Sequence, residues 1–438
     1  MTARPVQTSG SAEQETVARH SLFWLVLGNL VGLLLALLLL FPSLGVLLQP
    51  LSYGRWVTVH LNASLYGWSS LPLIGLLFRQ YLPQTRSTRI ASSAITVWSC
   101  VLLFSIIAWL SGHTSGKLFM EWSGASRGAI LFGMGYLALA LGISYRQRLG
   151  EVGSAPTPTR WRKTTILLKI LFLIVLSTIP VVLYLAANPA LYPPINPDSG
   201  GATGGSLLGS TLAIVAIYWA TPFMLGLPHQ ATARSFLPSL SLLLLHWIGF
   251  SLLDHGDQSH RDPTQIVALA SLFIWVPLLV RHLQRFDWPT GSKRWLWAFA
   301  GWGLLLVIDG VGTFVPPVLD HWKFTNALVA HVHIAMAGMV TSFNFLALVV
   351  LTQPTQLRGL FDAPTPFWCW QAGTLVHALA LLAAGTLEAL HPGWLFTGHP
   401  VMNLLYTIRF AAGLLMATAS IQWFWLAHKQ KELLHEKD

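Results

Sequence analysis

Two histidines in one apolar stretch carry the most specific chemical signal in this sequence. His331 and His333 are the ionisable residues of the run Ala330–Ile334. Residues two apart on an α-helix are rotated by about 200° at 3.6 residues per turn. The two rings therefore point to opposite sides of the helix, and the spacing predicts two separate ligand sites. An ionisable side chain inside a membrane helix is costly to insert and indicates a functional site.

A third histidine, His60, lies near the start of a second apolar stretch. The topology argued below starts both helices at the outer face, so His60 and His333 are expected at similar depth. One histidine from each of two helices can ligate a planar haem from both sides. His331 would then be the single protein ligand of a second haem. The alternative for each residue is an interhelical hydrogen bond, the commoner role of a lone membrane histidine.

The composition places these stretches in a membrane. Hydrophobic residues make up 54% of the 438 residues and charged residues only 10%, whereas soluble domains carry about 25% charged residues. This excludes a water-soluble globule and a disordered chain. The two cysteines, Cys100 and Cys369, lie in apolar segments and form no disulfide framework. Basic loops explain the net charge of +10 without a nucleic-acid partner.

The apolar runs predict twelve transmembrane helices, since each crossing needs about 20 apolar residues. We expect one twelve-helix bundle over residues 21–428, with cytoplasmic tails at 1–20 and 429–438. No repeat of fixed period is evident along the chain. The predicted helices cover residues 21–48, 57–82, 90–111, 126–146, 165–187, 206–227, 235–254, 264–283, 295–315, 323–352, 366–390 and 402–428.

The loop charges predict the orientation of these helices. With the N-terminus inside, 19 Lys and Arg residues fall in inner segments and five in outer segments. Cytoplasmic loops of membrane proteins carry such an excess of Lys and Arg. The split predicts an even number of spans, with both termini on the cytoplasmic side.

Two segments resemble a known family. Residues 54–82 (GRWVTVHLNASLYGWSSLPLIGLLFRQYL) resemble helix 2 of subunit I in the haem-copper oxidase superfamily, and residues 325–338 (TNALVAHVHIAMAG) resemble its helix 10 motif. The cbb-type oxidases and nitric oxide reductases are the most similar branch, and the His60-x-Asn62 step is similar to the reductase form. Tyr406-x-x-Arg409, followed by Gly413, is similar to the start of the last core helix.

The resemblance implies a twelve-helix, all-α subunit in a prokaryotic inner membrane that holds two b-type haems. His60 and His333 would ligate the low-spin haem and His331 the high-spin haem. Arg409 would be a partner for a haem propionate, with a cationic fork that suits carboxylates; its alternative role is an interaction with lipid headgroups. The implied partners are other respiratory subunits and a cytochrome c or quinol electron donor, and the implied substrate is oxygen or nitric oxide.

The copper ligands of the oxygen-reducing members are poorly matched. Those members place one histidine in helix 6 and an adjacent pair in helix 7, whereas the sequence has no His-His pair, and helix 6 has no histidine before His229 at its inner end. His246, His255 and His260 are the remaining weak candidates. One or two such ligands do not make a three-histidine copper site. We therefore expect an interhelical hydrogen bond for His246 and solvent-facing positions for the other two.

Three further polar residues are candidates for supporting roles. Asp309 and Glu388 lie near the ends of helices 9 and 11, where a proton-relay or propionate-region role competes with the favoured alternative of a solvated helix end. His377, in the middle of helix 11, has no evident partner.

Three functions remain open at this point. The first is a haem-containing oxidoreductase that reduces oxygen or nitric oxide. The second is a copper-less, non-catalytic relative that relays electrons, senses a gas or assists assembly. The third and weakest is a transporter with structural histidines, which the lack of internal repeat symmetry disfavours.

Overall fold

The fold is all-α throughout the part of the chain that can be described. A computed structural model describes residues 11–83, 88–153, 160–191, 204–229, 232–253 and 261–435, and these residues form helices and turns without a β-strand. Eleven of their helical segments are long and apolar enough to cross a membrane. The predicted all-α integral membrane class is thereby confirmed.

The chain divides into two compact units. Unit 1 comprises residues 1–194, 351–363 and 420–438. Its helices are α1 (Ser11–Leu40), α2 (Ser43–Leu47), α3 (Tyr53–Asn62), α4 (Ser70–Tyr81), α5 (Arg89–Leu110), α6 (Gly124–Gly153) and α7 (Arg160–Ala186). A π-helical segment, Ala63–Ser69, joins α3 to α4.

Unit 2 comprises residues 195–350 and 364–419. A second π-helical segment, Ile334–Val340, joins its helices α14 and α15. Its helices are α8 (Gly204–Met224), α9 (Leu237–Leu253), α10 (Pro263–Ala270), α11 (Trp275–Leu283), α12 (Ser292–Thr313), α13 (Val318–Trp322), α14 (Asn326–His333), α15 (Thr341–Leu351), α16 (Pro364–Leu390), α17 (Trp394–Thr397) and, as far as residue 419, α18 (Pro400–His435).

The first helix begins about ten residues earlier than predicted. Its initial turns contain the polar side chains Glu13 and Gln14, which are buried inside unit 1. Thr88 donates its backbone N–H to Glu13 Oε1, and Gln14 Nε2 donates to the carbonyl of Gly75 at 3.0 Å. Because these groups are hydrogen-bonded within the unit, α1 includes residues that the sequence predicts to be a polar tail.

The second predicted span has a composite structure. Residues 53–81 are helical throughout, as α3, the π segment and α4, but they are not among the eleven segments that meet the length and hydropathy criteria. The count of twelve spans therefore stays a prediction. The eighth predicted span is also composite, because the 3₁₀ turn Ser271–Ile274 separates α10 from α11.

Candidate functional site

His60 lies in α3 and is oriented by α1. A carbonyl oxygen can only accept, so the His60 Nδ1–H donates to the carbonyl of Gly28, at 2.9 Å. Gly32, one turn further along α1, gives the ring its space: a Cβ atom there would lie 3.0 Å from His60 Cε1. With Nδ1 bound to the backbone, Nε2 is the nitrogen that an iron would take.

His331 has a different partner, the carboxylate of Asp309. The two side chains are joined by a 2.6 Å contact between His331 Nδ1 and Asp309 Oδ2. The Asp309 side chain is only 9% exposed, whereas that of His331 is 35% exposed. The preference for a solvated helix end at Asp309 was therefore wrong, because its partner comes from another helix. A carboxylate on Nδ1 fixes the tautomer and makes the other nitrogen a stronger metal ligand.

His333 faces a third group of residues. Its Nδ1–H donates to the carbonyl of Val329 at 2.8 Å, one turn earlier in α14, and its ring lies 4.6 Å from the ring of His377. His377 Nδ1 is in turn 3.2 Å from the carbonyl of Arg409. His333 thus contacts α16 while His331 contacts α12, as their two-residue spacing predicts. The sequence alone assigned His377 no partner, and the structure supplies two.

A buried polar network surrounds the start of α14. Glu388 accepts the backbone N–H of Asn326 at 2.8 Å and the hydroxyl of Tyr406 at 3.1 Å. Arg409 Nη1 donates to Asn326 Oδ1 at 3.4 Å. Glu388 and Arg409 are only 8% and 7% exposed. The solvated position favoured for Glu388 was therefore wrong, since it caps α14. The propionate role of Arg409 stays a prediction.

The weak copper candidates are only partly described. Trp275 Nε1 donates to His246 Nδ1 at 2.9 Å, so His246 carries its proton on Nε2, which contacts Ser271 Oγ at 2.6 Å. Both ring nitrogens therefore take part in hydrogen bonds. His255 and His260 lie outside the described residues. Within the described part of the chain, no three His, Cys, Asp or Glu side chains are grouped to hold a metal ion.

Sequence reasoning missed a buried carboxyl group in unit 1. Glu121, in the loop between α5 and α6, is almost completely buried and accepts a 2.9 Å hydrogen bond from Asn62 Nδ2. Burial raises the pKa of its carboxyl above the ordinary value, although the bond from Asn62 partly opposes this. The residue lies in a loop of ordinary polarity, so nothing in its local sequence marks it as buried.

The three predicted haem ligands fit the chemistry of iron binding. Each of His60, His331 and His333 makes a hydrogen bond to the protein through Nδ1. Metal-ligating histidines characteristically bind a carbonyl or a carboxylate with one nitrogen and the metal with the other. His60 belongs to unit 1 and the other two to unit 2. The assignment of each to an iron stays a prediction.

Comparisons with known proteins agree with this architecture. No protein-family model matches the chain. It is 22% identical to a cytochrome c oxidase subunit 1 homolog of Azorhizobium caulinodans, over 92% of this chain and 79% of that protein. A bacteroid cytochrome c oxidase subunit 1 homolog of Bradyrhizobium diazoefficiens is 24% identical, over 84% and 71%. The chain is thus similar, over most of its length, to two proteins described as cytochrome c oxidase subunit 1 homologs.

A solved structure supports the fold. A haem-copper terminal oxidase dimer, determined by cryo-electron microscopy, matches it with a TM-score of 0.51 at 12% identity, over 96% of this chain and 84% of that chain. At this identity the likeness concerns the fold alone. Together with the apolar helices, it supports an all-α integral membrane fold like that of the haem-copper terminal oxidase.

Proposed function

We propose that this protein is a haem-containing respiratory membrane subunit. His60 and His333 would ligate a low-spin haem b, and His331 a second haem b at which oxygen or nitric oxide is reduced. The observation that carries the proposal is the 2.6 Å hydrogen bond between His331 Nδ1 and Asp309 Oδ2, which joins α14 to α12. A carboxylate bonded to the Nδ1 of a histidine is typical of a metal ligand, and an ionisable pair in a membrane helix indicates a functional role.

The bound haems would supply one-electron transfer and a binding position for a diatomic gas. The residues of this chain do the remaining work. Asp309 holds the Nδ1 proton of His331 and keeps its Nε2 unprotonated. The carbonyls of Gly28 and Val329 do the same for His60 and His333. Gly32 and Gly310 leave space beside the rings of His60 and His331.

The remaining parts of the system follow from the family. We infer a location in a prokaryotic inner membrane, with both termini cytoplasmic, and electron delivery by a cytochrome c or a quinol. Other subunits of a respiratory complex would complete the assembly. Arg409, which is buried and bonded to Asn326, would pair with a haem propionate.

A second candidate function is favoured by one specific observation. His246 uses both ring nitrogens in hydrogen bonds to Trp275 and Ser271, so it would have to break one of them to bind copper. A subunit without copper would relay electrons, sense a gas or assist assembly without turnover. Copper or another non-haem metal, measured per chain together with oxygen and nitric oxide consumption, separates the two functions.

Haem content tests both functions together. A pyridine haemochrome assay on the purified protein should give two haem b groups per chain, and a haem-free protein would contradict both. His60→Ala and His333→Ala should each abolish the low-spin spectrum, whereas His331→Ala should preserve it. Equal loss of both haems in all three variants would contradict the assignment of His331 to a separate haem. His428→Ala, at an exposed position in α18, is the control.

A further inference from the structure

The same local structure occurs twice, once in each unit. The π segment Ala63–Ser69 begins three residues after His60, and the π segment Ile334–Val340 begins three residues after His331. A π-helix is rare and energetically unfavourable, and it occurs mostly in single short stretches near functional sites. Two π segments at the same distance from two histidines therefore require a common physical cause.

In unit 1, side-chain donors support the widened helix. Trp98 Nε1, from α5, donates to the carbonyl of Tyr66 at 2.8 Å. Ser70 Oγ donates to the carbonyl of Leu65, also at 2.8 Å. Carbonyls inside a π segment bond to the N–H five residues on instead of four, and a carbonyl at the junction with the α-helix loses its backbone partner. A buried carbonyl without a donor is costly, so the indole and the hydroxyl stabilise this segment by donating to two of its carbonyls.

In unit 2, equivalent donors occupy equivalent positions. Trp370 Nε1, from α16, donates to the carbonyl of Ala337 at 3.0 Å. Thr341 Oγ1 donates to the carbonyl of Met336 at 2.8 Å. Ala337 lies six residues after His331, just as Tyr66 lies six residues after His60 in unit 1. The two units therefore use the same type of donor on the same carbonyl.

A tryptophan from α1 in unit 1, and one from α12 in unit 2, completes each arrangement. Its indole packs directly on a glycine of the π segment, where a Cβ atom would overlap the ring. Its Nε1–H donates to the side-chain oxygen of the residue that directly follows Trp98 or Trp370 in the sequence. The residues are Trp24, Gly67 and Ser99 in unit 1, and Trp302, Gly338 and Gln371 in unit 2.

The π segments matter for the direction of the histidine rings. Each residue of an α-helix adds about 100° of rotation about the helix axis. One extra residue in a π turn therefore rotates the side chains before the turn by about 100° relative to the side chains after it. His60 lies before the first π segment, and both His331 and His333 lie before the second. If a π segment reverted to α-helix, these rings would turn away from their present partners.

We propose that Trp98 and Trp370 are positioning residues that stabilise the two π segments. Trp98 thereby orients His60, and Trp370 orients His331 and His333, towards the haem irons that they would bind. The iron-binding part rests on the proposed function. The support of the π segments does not, because it concerns hydrogen bonds of the protein alone.

The test uses the full-length protein in detergent, with Trp98→Phe and Trp370→Phe. Phenylalanine keeps an aromatic ring and removes the N–H donor. Thr341→Val removes the hydroxyl donor at nearly constant volume, and Thr341→Ser restores it, so a second route remains if a tryptophan variant does not fold. Trp368→Phe, at an exposed position two residues from Trp370 on the same helix, is the matched control.

Backbone hydrogen exchange by mass spectrometry is the first measurement. Trp98→Phe should accelerate exchange in residues 63–69 by about tenfold and leave 334–340 unchanged, because the lost donor belongs to unit 1. Trp370→Phe should do the reverse, and Trp368→Phe should change neither segment. Unchanged exchange in both tryptophan variants, or equal acceleration of both segments in each, would overturn the proposal.

The haem spectrum is the second measurement. Trp98→Phe should shift the electron paramagnetic resonance signal of the low-spin haem alone, and Trp370→Phe should shift the signals of both haems. Selective exchange changes with unaltered spectra would overturn the positioning role. A protein that contains no haem would instead contradict the proposed function, while the exchange measurement would still decide whether the tryptophans hold the π segments.

Discussion

The hydrogen-bond acceptors of His60 and His331 differ in charge. His60 donates to a neutral carbonyl, whereas His331 contacts a buried carboxylate. Hydrogen bonds to ionised acceptors are shorter and roughly twice as strong as neutral ones. His331 should therefore be the more electron-rich ligand of the two. This difference would suit the gas-binding haem that we propose on His331, since Asp309 would make its protein ligand the stronger electron donor.

Asp309→Asn should raise the reduction potential of the haem that we propose on His331. Loss of the negative charge weakens the ligand and disfavours the oxidised iron, by on the order of 60 mV if the preference changes tenfold in a one-electron couple. Spectroelectrochemical titration measures the shift, and the potential of the low-spin haem should not change. Asp320→Asn, which alters a surface ion pair with Arg261, is the control. Equal shifts in both variants would contradict the argument.

Glu121 predicts a specific dependence of stability on pH. Burial raises its pKa from the ordinary 4.5, so between 4.5 and the raised value the folded protein binds more protons than the unfolded chain. Stability therefore falls as pH rises through this interval. The Glu121→Gln variant does not lose stability in this way. Its melting temperature should therefore match that of the wild-type protein below pH 4.5 and exceed it by a growing margin towards neutral pH. A constant difference across the pH range would refute this assignment.

Each of the two π segments contains a glycine that packs against a tryptophan ring. In unit 2 the indole of Trp302 occupies the space beside Gly338, and a methyl group at Gly338 would overlap it. The ring also donates to Gln371 at 2.6 Å. Because the ring is held by this bond and buried, it has little freedom to move aside.

Gly338→Ala should destabilise the protein by about 1–3 kcal/mol, the usual cost of overpacking. Gly301→Ala places the same methyl group in the interior of α12, where no atom lies within 4 Å, and should stabilise the helix by about 0.5–1 kcal/mol. Melting temperatures of the two purified variants give the comparison. If both substitutions were neutral or both stabilising, the close packing at Gly338 would be disproved.

The helices were predictable to different degrees. Apolar runs located the membrane-spanning segments, because burial in lipid imposes a composition that single residues reveal. The π segments were not predictable, since they depend on donors such as Trp98 and Trp370 from other helices. Asp309 and Glu388 were misjudged for the same reason. Each lies near a helix end, and only the fold brings a partner to it.

At the scale of the whole molecule, the open question is the number of crossings. The segment 53–81 is helical throughout but falls outside the eleven clear spans. If it crosses the membrane, the count is even and the inner loops carry most of the Lys and Arg residues, as membrane proteins require. If it does not cross, every later loop changes sides and the basic residues face outward. We therefore expect this segment to span, despite its polar and composite structure.

Accessibility to a membrane-impermeant maleimide tests this expectation. In a background with Cys100 and Cys369 changed to serine, single cysteines replace three exposed residues, Ala12, Ser111 and Gln356. Three predicted helices separate Ala12 from Ser111, and ten separate Ala12 from Gln356. Labelling of intact cells should therefore modify Ser111→Cys alone, while all three react after permeabilisation. Without a crossing at 53–81, Ala12→Cys and Ser111→Cys would behave alike, and the twelve-helix arrangement would be wrong.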